Sequence, residues 1–374
     1  IYMCRYDRGM RPRTALTLWQ SLVRPILEYA SEIWSGQIPL YLTQKAEAVQ
    51  LKLLRVTLGL HKNGSGVANE MVRAESGCER LQDRWAKLKL GYWRRVFVAP
   101  NGRLLRDIVE FRRPEWIASR CRGWGSKGWM RTIQASLDRH GLGEYWDNPA
   151  AAAAMPKAEW KDIVYSAVDA SADSCRAVTL SNKPSTSAYI DLKEWGPNPE
   201  NYSFSAGESG KLGQHVPERY LDDRNNIKGT RLKMLCRLGC LPLMNRVGRE
   251  AKPPWPHEYR TCAACCTGKI EDIHHFVIKC PRYAVKRTAL LKQAGRELAG
   301  PKGDISGIEF ANMEAKDQLS VLLGRRISDP ATEDRLDRSV KRYLSKCWNL
   351  RAEVTGAIND ALFTSYGIYV APGA

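Results

Sequence analysis

Three cysteines and a histidine within nineteen residues define the chemistry open to this chain: Cys262-x2-Cys265-x9-His275-x4-Cys280. Zinc takes four tetrahedral thiolate or imidazole ligands, and short-spaced pairs supply them at little cost in chain entropy. Cys262 and Cys265 are expected on a tight turn. Glu271 and Asp272 are expected to start a short helix that carries His275, and Pro281 to stop it beside Cys280. A spacing of five lies slightly off one helical face, so the last turn should fray or tighten. Cys266 is an alternative to Cys265, and His274 to His275. The two-residue loop favours Cys265, and Phe276 as a local core residue favours His275. Four protein ligands leave no open coordination position, so the Zn2+ is read as structural and not catalytic.

A second constellation is basic and aromatic. Residues 81–131 hold thirteen Lys and Arg against four Asp and Glu, half of the net charge of +18. Arg94, Arg95, Arg103, Arg106, Arg112, Arg113, Arg120, Arg122 and Lys127 are candidates for phosphate contact, because a guanidinium offers a fork of donors to a phosphate. Trp124 and Trp129 lie in a glycine-rich stretch without helical spacing and are candidates for stacking on unpaired bases. Trp85, Tyr92 and Trp93 fall at helical spacing and are read as core. Such an excess of charge favours polyanion partners, RNA or DNA, over a membrane. No Ser/His/Asp set, phosphate-cradling glycine loop or dinucleotide fingerprint occurs.

These residues must be positioned by helices, because alternating strand patterns are sparse. A helix is expected over 14–34, with Ala15, Leu18, Leu22, Ile26, Ala30 and Ile33 on one stripe and a kink or restart at Pro25. Another covers 43–58, with Ala46, Val49, Leu53 and Val56 inward and Gly59 as its cap. A third runs from Glu79 to Phe97, with Leu81, Trp85, Leu88, Tyr92 and Val96 buried and Arg84, Lys87, Arg94 and Arg95 mostly off the stripe. The helical pattern weakens over 101–130. Ala150 to Ala154 is read as a helix start or a linker, and most of 171–213, rich in Ser, Asn, Pro and Gly, as an extended linker. Helical spacing returns at Ile227 to Leu238, closed by Gly239, and in the tail at Val340, Tyr343, Leu344, Cys347 and Trp348. The acids Asp304, Asp317, Asp329, Glu333, Asp334 and Asp337 are read as exposed helix faces and caps.

The fold class is therefore mainly α, in four parts. A helical domain covers 1–110, a basic and aromatic region with the linker 111–213, a helix with the zinc module 214–285, and a helical tail 286–374. Hydrophobic residues at 44 % and charged residues at 26 % permit a buried core of ordinary size. Eleven cysteines, an odd number, are read as free thiols and metal ligands. The chain opens on Ile1, as a piece of a longer protein would. It shows no N-terminal apolar stretch with a cleavage signature and no apolar run that could span a bilayer, so an intracellular, nuclear location is expected.

Two stretches resemble the C-terminal half of reverse transcriptases from non-LTR, LINE-like retrotransposons. The first runs from Leu18-Trp19-Gln20 through Arg24-Pro25-Ile26-Leu27-Glu28-Tyr29 to Ile33-Trp34, and continues with Leu54-Arg55-Val56-Thr57-Leu58-Gly59 and Glu75-Ser76-Gly77. It is similar to the helical thumb that follows the polymerase palm. The second joins Arg237-Leu238-Gly239-Cys240-Leu241-Pro242-Leu243 to Cys262 and Cys265, Glu271-Asp272-Ile273-His274-His275-Phe276 and Cys280-Pro281-Arg282-Tyr283. It is similar to the Cys-Cys-His-Cys module near the end of many such polyproteins. Together they cover roughly 14–97 and 227–287. The resemblance implies a nucleic-acid-binding C-terminal segment of an RNA-directed DNA polymerase. The palm, with its paired aspartates and Mg2+, would lie upstream.

Tyr220-Leu221-Asp222-Asp223 has the form of a polymerase aromatic-x-Asp-Asp motif. Its flanks are polar, Pro217 argues against a central strand, and it falls after the thumb-like stretch. It is read as a charged linker or helix start, and an active polymerase or nuclease using Asp222 and Asp223 is the least favoured function. The other alternative is a domesticated, zinc-stabilised helical module that docks a protein partner.

Overall fold

The computed structural model describes residues 11–60, 66–120, 128–182, 186, 189, 217–222, 225–299, 307–324 and 329–355. Among these the fold is mainly α, with no strand; Thr261 and Ile270 form an isolated β-bridge. The first helices are α1 (Pro12–Leu18), α2 (Arg24–Glu28), α3 (Ser31–Trp34), α4 (Leu40–Thr57), α5 (Asn69–Ser76) and α6 (Leu81–Val98). There follow α7 (Leu104–Arg120), α8 (Trp129–Arg139), α9 (Glu144–Asp147), α10 (Pro149–Ala154) and α11 (Lys157–Ser181). The C-terminal part holds α12 (Ile227–Arg237), α13 (Met244–Glu250), α14 (Ala284–Leu298), α15 (Gly307–Asn312), α16 (Ala315–Leu323) and α17 (Pro330–Thr355).

The stripe expected over 14–34 does not form. A π-helical turn at Trp19–Val23 separates α1 from α2, and Pro25 sits in the first turn of α2. A π turn holds an extra residue, so i, i+4 spacing no longer marks one face. Trp19 goes inward with Ala15 and Leu16, while Leu22 is 62 % and Ile26 73 % exposed. In α4 the inward face is Gln50, Leu53, Leu54 and Thr57, one position round from that expected, and Val49 faces out. The stops were legible. Leu60 N–H donates to Arg55 O at 2.7 Å and Gly59 N–H to Val56 O at 2.9 Å, with Gly59 at φ +68°. Gly239 ends α12 by the same 6→1 and 5→2 pairing, Cys240 N–H to Leu235 O and Gly239 N–H to Cys236 O.

Two of the expected irregular stretches are helical. The region 101–130 contains α7, and α11 runs on to Ser181, eleven residues into the expected linker. Trp160, Val164, Val168, Ala172, Arg176 and Leu180 recur every four residues along the buried face of α11. The serines and alanines between them obscured this period. The rest of the linker lies almost wholly outside the described residues.

Buried apolar residues form two clusters. The smaller gathers Leu90, Trp93 and Phe97 of α6 with Ile133, Trp146, Trp160 and Val164. Because α6 is packed by α3, α8, α10 and α11, little of it remains solvated. Lys87, expected on the outer face, is buried, its Nζ 2.6 Å from both Glu79 and Asp169. The larger cluster joins α4, α5 and α12 to the cysteine–histidine segment and to the tail helices α14, α16 and α17. The boundary drawn at 285/286 thus runs through one core. Within it Asp337 is buried between Lys233 and Lys341, whereas Asp329 caps α17 by accepting from Thr332 N–H at 3.0 Å.

At the centre of this cluster Glu75, 0 % exposed, accepts from Arg237 Nη2 at 2.9 Å, Tyr189 Oη at 2.9 Å and Tyr220 Oη at 2.5 Å. Removing one partner of a buried pair leaves an uncompensated charge. Glu75→Ala is therefore expected to cost about 3–5 kcal/mol, read as a lower urea midpoint. Glu75→Gln, which keeps the acceptor oxygen for one tyrosine, should lose less. Equal midpoints for wild type and Glu75→Ala would contradict this account.

Candidate metal centre

The metal-binding segment begins as a hairpin. Cys262 N–H donates to Lys269 O at 2.8 Å and Glu271 N–H to Arg260 O at 3.0 Å, on either side of the Thr261–Ile270 bridge. Gly268 turns it at φ +71°. The Asp272 carboxylate accepts from His275 N–H at 2.7 Å and so caps the helical entry, while Glu271 does not. The final turn neither frays nor tightens: it widens. His275–Lys279 is π-helical, closed by Cys280 N–H to His275 O at 2.7 Å. That i, i+5 bond resolves the spacing problem, because it brings residues five apart onto one side of the turn.

The Sγ atoms of Cys262, Cys265 and Cys280 and a ring nitrogen of His275 lie within 4.8 Å of one another. Cys262 Sγ is 3.9 Å from Cys280 Sγ, and Cys265 Sγ is 3.4 Å from His275 Nε2. Ligands at zinc bond lengths on a tetrahedron would be about 3.5–3.8 Å apart. The four side chains therefore fit a zinc-sized ion, with Nε2 as the imidazole donor. The neighbours do not. Cys266, at φ +54°, points its Sγ at Ala263 O, 3.3 Å away, and His274 hydrogen-bonds the Ala315 backbone.

Protonation fits the same reading. Burial, with Glu271 adding to it, pushes the Cys262 thiol well up, and burial raises Cys280 as well. Burial also acts to raise Cys265, but hydrogen bonds from the Thr267 side chain and backbone outweigh it and hold that thiol below its usual value. Burial lowers His275, which keeps the imidazole neutral and its lone pair available. Thiolates in such surroundings call for a cation.

Glu271 stands behind the ligands. It is 0 % exposed, with Oε1 3.8 Å from Cys262 Sγ. Arg351 of α17 grips both oxygens at 2.7 and 2.8 Å, and Met244 N–H donates to Oε2 at 2.8 Å. The pair anchors the ligand hairpin to α13 and α17 in the manner of outer-shell partners that orient metal ligands. Phe276 packs edge-on against Tyr283 at 5.3 Å and Trp348 at 5.9 Å, so it is the local core residue expected. Sequence reasoning missed Arg351. The available signal was a charged residue on the apolar stripe of Leu344, Cys347 and Trp348.

The basic candidates scatter. Arg94 donates to Ala152 O at 3.0 Å and to Met155 O, and Arg113 to Trp146 O at 2.8 Å and to Asp147 O, so both guanidiniums close helix ends. Arg106 spans Ala99 O and Glu110. Trp129 is half-buried, its Nε1 donating to Glu32 O at 2.7 Å and its ring edge-on to Tyr92. Arg95 is exposed over the Tyr92 ring, 3.8 Å from Glu32. Arg103 and Arg112 are exposed. Arg122, Trp124 and Lys127 lie outside the described residues, as does the Arg120 side chain. Of the aspartate pair, Asp222 forms an ion pair with Arg13 at 2.7 Å beside the buried Tyr220, and Asp223 lies outside the described residues. No helix among the described residues is long and apolar enough to cross a membrane. No known protein family, curated protein or solved structure matches the chain.

Purified protein is expected to hold one zinc per chain by elemental analysis. Cys262→Ser, Cys280→Ser or His275→Ala should lose it, and Cys266→Ser and His274→Ala should keep it. Retention of zinc by His275→Ala with loss by His274→Ala would reverse the assignment.

The pH dependence has a definite sign. The unfolded chain takes a proton on His275 near the ordinary imidazole value of about 6.5, while the buried folded imidazole resists it. Stability and metal loading should therefore fall together as pH drops through that value, since protons also compete for the thiolates. A chromophoric chelator would follow the release. Release that grew towards alkaline pH instead would contradict this.

Proposed function

We propose that this chain is the nucleic-acid-binding C-terminal segment of a non-LTR retrotransposon reverse transcriptase, with a structural zinc module and no catalytic role of its own. The observation that carries this reading is the tetrahedral Cys262, Cys265, His275 and Cys280 cluster on a helical body of net charge +18. The thumb-like and cysteine-containing stretches, in that order, support the parentage. Template and product would be held through their phosphates, which attract cations whatever the sequence. Zn2+ supplies folding energy to the module. Polymerase chemistry, with Mg2+, would belong to a palm outside this sequence, and the working location would be the nucleus.

Among the described candidates for phosphate contact, Arg95, Arg103 and Arg112 are exposed. The second reading, a module that docks a protein, is favoured by one observation: Leu22, Ile26, Tyr29 and Leu40 form exposed apolar surface on the N-terminal helices.

Binding to a mixed-sequence single-stranded RNA and to a DNA duplex, followed by fluorescence anisotropy, separates the two. The first reading expects log affinity to fall linearly with log salt. It also expects the Arg95→Ala, Arg103→Ala, Arg112→Ala triple variant to flatten that slope by up to about three. Absence of binding, or binding indifferent to salt, would favour the protein-docking module.

A further inference from the structure

The acids of α17 are Glu333, Asp334 and Asp337 near its start and Glu353 near its end, and cations lie between them. Along α17 the residues 338, 342 and 346 recur at i, i+4 and i+8, and Arg338, Arg342 and Lys346 are all exposed. They stand opposite the buried stripe of Val340, Tyr343, Leu344 and Cys347. No acidic residue occurs between 338 and 349, and none of the three cations forms an ion pair among the described residues. Each four-residue step rises about 6 Å, close to the advance of about 7 Å along a duplex axis for two nucleotides of one strand.

A neighbouring element adds charge to this ridge. Lys228 of α12 donates from Nζ to Asn349 Oδ1 at 2.5 Å, with no carboxylate on it. The opposite, buried face of α17 packs on α14. Tyr343 donates to Val277 O at 2.7 Å, so α17 is seated on the cysteine–histidine segment by the face opposite the ridge. Glu353, one turn beyond Asn349, is the acid that ends it.

We infer that the Arg338–Arg342–Lys346 ridge of α17, flanked by Lys228, is a phosphate-backbone binding face for RNA or DNA, distinct from the basic region 81–131. The inference rests on the nucleic-acid reading above and gives it a second, better-organised surface. An anionic membrane is the less suitable partner. A helix that lies in a lipid interface exposes apolar side chains for insertion, and between 338 and 349 this one exposes none.

The test uses the full zinc-loaded chain with Arg338, Arg342 and Lys346 all changed to Gln, a good helix former. Zinc content and thermal midpoint should match wild type. The slope of log affinity against log salt for RNA or duplex should become shallower by about two to three. A variant with Arg338→Lys and Arg342→Lys should keep the wild-type slope, because the ridge acts through charge. If wild type binds and the glutamine variant binds with an unchanged slope, the ridge is not a binding face and the basic region alone carries the function. Wild type that binds no nucleic acid overturns the underlying reading and the ridge together. If phosphatidylcholine–phosphatidylserine vesicles lose the glutamine variant while nucleic-acid binding is unchanged, the face belongs to a lipid surface and the inference fails.

Discussion

A carboxylate that loses its water must meet a cation or give up its charge, and this constraint organises the larger core. Glu75 and Glu271 are both fully buried. Each is met by one arginine that comes from a distant part of the chain, Arg237 for the first and Arg351 for the second. Such pairs are weak evidence for stability, because desolvation offsets much of the attraction. They are strong constraints on arrangement, since any packing that separates the partners strands both charges. Glu75 also takes the hydroxyls of Tyr189 and Tyr220, which leaves its oxygens with little unmet hydrogen-bonding capacity. The Glu75-Ser76-Gly77 and Arg237-Leu238-Gly239 stretches, far apart in sequence, thereby meet in space.

The second constraint is metal geometry acting on helix geometry. An α-turn would place residues 275 and 280 about 500° apart at 100° per residue, too far round for both to face one ion. The π turn slows the rotation and supplies the missing alignment, at the expense of less favourable hydrogen-bond geometry. The same device at Trp19–Val23 has no ligand to serve there. Its effect is to turn Trp19 into the core and leave Leu22 and Ile26 outside.

Much of the local structure was legible because it depends on short-range rules. Gly59 and Gly239 end helices since only a residue tolerant of positive φ closes the 6→1 bond. The clustering of Cys262, Cys265, His275 and Cys280 was legible because thiols and imidazole at short spacings have few other uses. What could not be read depends on long-range contact. Lys87 looks like a surface residue until α11 supplies Asp169. Arg94 and Arg113 look like phosphate ligands until the carbonyls of Ala152 and Trp146 claim them. Charge density in sequence counted all thirteen cations of 81–131 alike, although folding assigns several of them to helix ends and ion pairs. The period of α11 was hidden for a different reason: serines and alanines lie between its inward positions, and one of those positions is the charged Arg176.

The cysteine–histidine segment is consequently not an independent bead on the chain. A free-standing knuckle would orient its ligands through its own loops, whereas here Glu271 is held by Arg351, Phe276 by Trp348 and the backbone at Val277 by Tyr343, all from α17. Metal binding free energy in such an arrangement is shared with the tail, because the side chains that seat the ligands are the ones that pack α17. The helix that carries the cationic ridge is thus fixed in orientation by the cysteine–histidine segment on its opposite face. An ion held by the four side chains would therefore steady not only the cluster but also the register of Arg338, Arg342 and Lys346, and so the surface the tail presents.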